Sequence, residues 1–205
     1  MAKNLDKITG VSESRSNTAL LILDMISAFD FEDGETLFPK ALRAAQNLSK
    51  LRDRARSAAV PVLFVNDNFG KWEQDFGEFV RSVRDSEKGS QMIDLIGPER
   101  GDYHILKPQR SAFYATPLEV LLLTLNVSDL IITGVTTDIC VLFSAHDAYM
   151  RGYKLHVPSD CTAAVEDAHH ESALEFMARV VYAKTRSSSE LKFQTPARSR
   201  SGRAA

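Results

Sequence analysis

Ile131-Ile132-Thr133-Gly134-Val135-Thr136-Thr137-Asp138-Ile139-Cys140-Val141 is an apolar run that breaks at a glycine and continues into a polar turn carrying one cysteine. Its β-branched residues favour a strand, and the turn beyond Gly134 predicts the start of a helix. A strand feeding a helix through a short turn is the building block of a parallel α/β sheet. Cys140 then falls in the first helical turn, where unpaired backbone N–H groups and the helix dipole favour a thiolate and any oxyanion it generates. Asp138 opposes that effect from the same turn, so a cation has to outweigh it.

Working outward, short apolar runs recur at Ala19-Leu20-Leu21-Ile22-Leu23, Val62-Leu63-Phe64-Val65, Tyr103-His104-Ile105-Leu106 and Lys154-Leu155-His156-Val157. Strands buried on both faces look like this, and intervening helices argue for a parallel arrangement. A sixth, edge strand is expected near Tyr182-Ala183-Lys184-Thr185. Leu37, Ala41, Ala44, Ala45, Leu48 and Leu51 repeat at helical spacing with charges opposite, and further helices are expected over residues 117–125, 138–150 and 167–181. Residues 66–101 form a long, charged excursion carrying Phe69, Trp72, Phe76 and Phe79, read as a substrate-covering segment with short helices.

The chain has 205 residues and a formal net charge of −2, which fits one α/β domain and leaves no footprint for nucleic acid or membrane. The division expected is a polar N-terminal segment at residues 1–17, one domain at 18–190 and a basic, disordered tail at 191–205. Residues 1–17 lack the apolar core of a leader, and no apolar run is long enough to span a bilayer. Two cysteines, Cys140 and Cys161, are too few for a disulfide framework or a four-ligand zinc site. The expectation is a cytoplasmic protein acting without a cofactor.

In open parallel sheets, ligands gather beyond the carboxyl ends of the strands. Three chemical groups stand there: Asp24 after the first run, Lys107 after the third, and Cys140. Acyl transfer needs a nucleophile, a proton acceptor and a stabilised oxyanion. Asp24 suits the acid/base role, Lys107 the electrostatic one, and the backbone N–H groups of Thr136 and Cys140 the oxyanion hole. Taken singly, each side chain has an ordinary alternative: a buried thiol, a turn-forming carboxylate, a solvated lysine. The turn Asp24-Met25-Ile26-Ser27 lacks the glycines of a phosphate loop, which argues against a dinucleotide site.

Leu21-Ile22-Leu23-Asp24-Met25 with Phe29 beyond it, Leu106-Lys107 followed by Ser111-Ala112-Phe113, and Gly134-Val135-Thr136-Thr137-Asp138-Ile139-Cys140-Val141 together resemble the isochorismatase-like cysteine hydrolases. This superfamily includes nicotinamidases, N-carbamoylsarcosine amidohydrolase and isochorismatase, and the resemblance covers nearly all of residues 19–185. It implies a single-domain, three-layer α/β/α sandwich on a six-stranded, mainly parallel sheet, with Asp24, Lys107 and Cys140 as catalytic triad. It also implies a cis peptide ahead of Thr136 and assembly as a homo-oligomer, dimer or tetramer. Nicotinamidases bind metal through an Asp-x-His arrangement and a further His, whereas this chain has Asn66-Asp67-Asn68-Phe69, so no metal is expected. The chain resembles amidases that form a Cys thioester on a small molecule. Vinyl ether hydrolysis of the isochorismatase type and a silent ligand-binding homologue stay open beside it.

Phe29, Asn66, Asn68, Trp72 and Phe113 are the candidate substrate contacts: aromatic walls and amides placed near strand ends. Core packing and turn formation are the competing roles. His146, His169 and His170 lack metal-ligand spacing and read as solvated or packed. Arg110 suits a surface ion pair, and Cys161 inert burial.

Overall fold

A computed structural model describes residues 16–193. The order along the chain is β1 (Thr18–Leu23), α1 (Gly34–Ser57), β2 (Val62–Asp67), α2 (Phe76–Arg84), α3 (Glu87–Ile96), β3 (Tyr103–Lys107), α4 (Leu118–Thr124) and β4 (Asp129–Val135). A π turn at Thr137–Val141 then leads into α5 (Leu142–Met150), followed by β5 (Lys154–His156), β6 (Thr162–Ala163) and α6 (Asp167–Val180). The strands lie in the order β3-β2-β1-β4-β5, with β6 paired to β4, and every pairing is parallel.

Period-two alternation sends neighbouring residues of one strand to opposite faces, and the burial follows it. Leu20 and Ile22 of β1 join Phe64 of β2 and the apolar stripe of α1, with Leu37, Leu48 and Leu51, in one cluster. Ala19, Leu21 and Leu23 join Ile132, Leu122 of α4, Ala145 of α5 and Met177 of α6 in the other. The result is the expected three-layer α/β/α sandwich with a six-stranded sheet.

The sixth strand differs from the expectation. Thr162–Ala163 supplies it by pairing with Gly134 and Val135, whereas residues 182–185 make only a single bridge, from Lys184 to His156. Beyond His156 the chain turns at Pro158, which leaves the end of β4 open for the returning strand.

The excursion at residues 66–101 also differs. Phe76, Phe79 and Val83 of α2 and Met92, Ile93 and Ile96 of α3 are buried in the α1-side core, so most of the segment is a core layer and not a cover. Asp75 caps α2 by accepting from the backbone of Glu78, whose side chain returns the bond in a capping box. Leu191 and Phe193 pack on the same core, and Arg54 donates to the carbonyls of Ser188 and Leu191, so packed structure continues past residue 190. The rest of the expected N-terminal segment and tail, residues 1–15 and 194–205, lies outside the described residues. Among the described residues no helix is long and apolar enough to cross a membrane.

Candidate active site

The strand order sends β1 to β2 in one direction and leaves β4 on the other side of β1, so a crevice opens beyond their carboxyl ends. Gly134 makes the close approach of β1 and β4 possible. It sits at φ +111°, and a Cβ there would lie 2.0 Å from the Leu23 carbonyl oxygen. Asp24 leaves the end of β1 in a left-handed conformation, φ +54°, which a short polar side chain tolerates better than most.

Lys107 ends β3, two strands away from β1, and has no exposed surface. Its Nζ lies 2.9 Å from Asp24 Oδ2 and 3.6 Å from Cys140 Sγ. The thiol of Cys140 is itself within hydrogen-bonding reach of the Asp24 carboxylate. Asp24, Lys107 and Cys140 therefore meet as one cluster.

Asp67 is a fourth member that the sequence reading named without placing at the site. Its backbone N–H donates to Asp24 Oδ1 at 2.7 Å, and its own Oδ2 lies 3.6 Å from Lys107 Nζ. The signal was available: Asp67 ends β2 directly opposite Lys107 in register, so the strand-end rule applied to β2 picks it out.

Burial and the neighbouring charges shift all three groups. Burial, then the Asp24 carboxylate, push the Cys140 thiol up to about 12, against the pull of Lys107. Burial also raises the Asp24 carboxyl, although Lys107 works to lower it. Burial disfavours the Lys107 ammonium, yet Asp24, Cys140 and Asp67 outweigh that and hold its proton more tightly than usual. Two expectations change here. Lys107 does not outweigh the opposing charge, so the sulfur rests as a thiol, and that opposing charge is Asp24. Asp138 instead sets its carboxylate 3.7 Å from His169.

The peptide between Val135 and Thr136 is cis. Cys140 occupies the π turn rather than a regular first helical turn and is half-buried.

Of the five candidate substrate contacts, Asn68 meets the cluster through its backbone, its N–H donating to the Lys107 carbonyl at 2.9 Å. Phe29 is a core residue against Phe38. Phe113 packs on Tyr153 under the Arg151 guanidinium. The Asn66 amide donates to the Ile26 carbonyl and ties β2 to the loop after β1. Asn68 accepts from Gly70 N–H in its own turn. Trp72 is 75% exposed. Apolar burial holds Phe29 and Phe113 and a turn bond holds Asn68, while Asn66 Oδ1 is buried with no hydrogen-bond partner among the described residues.

A metal does not fit beside the triad. Asp67 accepts from Phe69 N–H through one oxygen and faces Lys107 through the other, and Asn68 is committed to its turn. Among the described residues no group of three or more His, Cys, Asp or Glu side chains gathers to hold an ion.

The sequence model described as the isochorismatase domain matches residues 18–188. This chain belongs to the isochorismatase family. It is similar to an uncharacterized isochorismatase family protein of Bacillus subtilis, YaaI, with 40% identity across 83% of this chain and 94% of that protein. A probable inactive nicotinamidase of Arabidopsis thaliana is 31% identical over 78% of this chain and 87% of its own length. Among solved structures, N-carbamoylsarcosine amidase from Thermoplasma acidophilum superposes with a TM-score of 0.67 at 28% identity, covering 85% of this chain and 98% of that one. The nicotinamidase of Staphylococcus aureus gives 0.66 at 25% identity, covering 83% and 99%. As a member of the isochorismatase family, the protein is a hydrolase of that superfamily.

Proposed function

We propose that this isochorismatase-family protein cleaves a carbon–nitrogen bond of a small amide through a thioester on Cys140. The contact of a thiol, a carboxylate and an ammonium within 3.6 Å of Lys107 Nζ carries the reading. Because the sulfur rests protonated, attack on the carbonyl carbon is coupled to passage of the thiol proton to Asp24. The raised affinity of Asp24 for a proton suits it to accept one and then deliver it to the departing nitrogen. Lys107, held as a cation, balances the negative charge during that transfer. The N–H groups of Thr136 and Cys140 are the proposed oxyanion donors. Water then attacks the thioester, Asp24 takes its proton, and the acid leaves as the thiol re-forms.

The solved relatives named as an amidase and a nicotinamidase support amide chemistry, and the four-group cluster around Lys107 supports the triad. The same reading takes the protein as a homo-oligomer, dimer or tetramer, that needs no cofactor.

The test is a panel of small primary amides, carbamoyl compounds and isochorismate, assayed on wild type beside Cys140→Ala. Turnover of an amide, an acyl adduct in the intact mass, and loss of both in the variant are expected. Full turnover in Cys140→Ala would remove the covalent route.

One observation favours a second reading. A carboxyl with raised proton affinity beside a sulfur that stays protonated can protonate a vinyl ether with no covalent step. Isochorismate turnover that survives in Cys140→Ala would select it.

A further inference from the structure

The turn that carries Cys140 is held from outside the triad. Thr137 is fully buried, and its hydroxyl lies 2.8 Å from Nδ1 of His170. One residue on, Asp138 faces His169 across 3.7 Å. Both histidines sit in the opening of α6, and both of their partners lie between Thr136 and Cys140. Thr136, at the head of the π turn, makes no side-chain cap of its own. A π turn closes a wider ring than an α-helical one and is seldom stable alone, so the outside anchor matters to its shape.

We infer that His170 is a positioning residue for the nucleophile: through Thr137 it fixes the π turn, and with it the placement of the Cys140 sulfur against Asp24 and Lys107. The inference deepens the hydrolase reading and rests on it, because holding the thiol in place has catalytic meaning only if the thiol reacts.

The surroundings of His170 support an imidazole that stays neutral. Burial lowers its affinity for a proton, as does Lys40 of α1, against the opposite pull of Asp167 and Glu171 on its own helix and Asp138 on the turn. A neutral ring accepts the Thr137 hydroxyl at Nδ1 when its proton is on Nε2 and donates to it when the proton is on Nδ1, whereas a protonated ring offers only donors. The contact ties the turn to α6 whichever of the two atoms donates.

The sulfur can report its own placement. Alkylation of Cys140 by iodoacetamide, read by peptide mass across a range of pH, gives an apparent pKa without any substrate. In the wild type that value is expected well above the free-thiol range, because Asp24 and burial hold the proton. His170→Ala is expected to lower it by at least about one unit toward the ordinary value of about 8.5, as a loosened turn lets the sulfur leave Asp24. His170→Asn keeps an acceptor near the Nδ1 position and is expected to restore the wild-type profile. Thr137→Val deletes the hydroxyl at constant shape and is expected to match His170→Ala, which also covers the case in which His170→Ala fails to fold.

A role in stability alone lowers the melting temperature of these variants and leaves the four profiles superimposed, and that result overturns the inference. The two readings fail separately. Amide turnover by the wild type with superimposed profiles removes the part given to His170. A wild type that turns over nothing in the panel removes the amide-hydrolase reading, whatever the profiles do. Once a substrate is in hand, His170→Ala is expected to lose about tenfold or more in kcat with KM little changed, since misplacing a reacting atom weakens the transition state more than binding.

Discussion

Cys140 and Asp24 work against each other until substrate arrives. The carboxylate that takes the thiol proton in the proposed reaction also keeps that proton on sulfur at rest. Asp24→Asn separates the two roles. Without the negative charge, Lys107 acts on the sulfur against burial alone, so alkylation at mildly alkaline pH is expected to be faster than in wild type. Hydrolysis is expected to fall at least about 100-fold, because the proton acceptor is gone. Slower alkylation in that variant would mean that Asp24 activates the resting thiol after all.

His156 carries a pH dependence of its own. Burial, then Lys184, lower its pKa below the ordinary 6.5, while Asp129 pulls the other way. The unfolded chain then binds more protons than the folded one between that lowered value and about 6.5, so His156 lowers stability as pH falls through this window. The melting temperature of wild type minus that of His156→Asn is expected to decline from pH 7.5 to pH 5.5, about one unit either side of the free value. A flat difference would show that the imidazole is not desolvated in the fold.

Among the elements, β4 and the turn after it bear most directly on the site. Gly134 lets β4 approach the end of β1, and the next peptide begins the path to Cys140. Gly134→Ala brings a Cβ against the Leu23 carbonyl at a φ that L-residues rarely adopt. A loss of more than about 1 kcal/mol in urea unfolding is expected, together with loss of amide turnover, since the strand end that moves also carries Thr136. An alanine variant of wild-type stability would show that the two strands have room to separate.

The strands and long helices are legible in the sequence, because their burial writes a period of two or 3.6 into the apolar residues. β1 and α1 are the clearest cases. The sixth strand was misplaced because two residues, Thr162 and Ala163, are too short to leave a periodic pattern, while residues 182–185 have strand-like composition but pair only through Lys184. The role of α2 and α3 was missed for a related reason. Their aromatic and aliphatic residues read equally as pocket walls or as core, and only the neighbouring α1 face shows that Phe76, Phe79 and Ile96 bury against it.

At the scale of the whole molecule, the sandwich brings residues from four regions of the chain to one crevice. Asp24, Asp67, Lys107 and Cys140 each stand at the end of a strand or just beyond it, so the sheet order decides which of them touch. Lys107 reaches Asp24 and the sulfur from β3, two strands away from β1, through a fully buried side chain. The homo-oligomer proposed above belongs to this scale as well. Light scattering on the eluting protein is expected to give the mass of two or four chains, and a single-chain mass at all concentrations would remove that part of the proposal.

By itself the sequence determined the layered α/β architecture, the family, and the identity of an acid, an amine and a thiol at strand ends. These are properties of local pattern: periodicity, turn residues and motif spacing repeat wherever the same backbone does. Tertiary structure alone decided that the thiol rests protonated, that Asp67 joins the cluster, and that His170 touches the nucleophile turn. Each depends on distance and burial between residues far apart in the chain, and a proton's free energy on sulfur follows the charges and solvent around it, which no stretch of sequence contains.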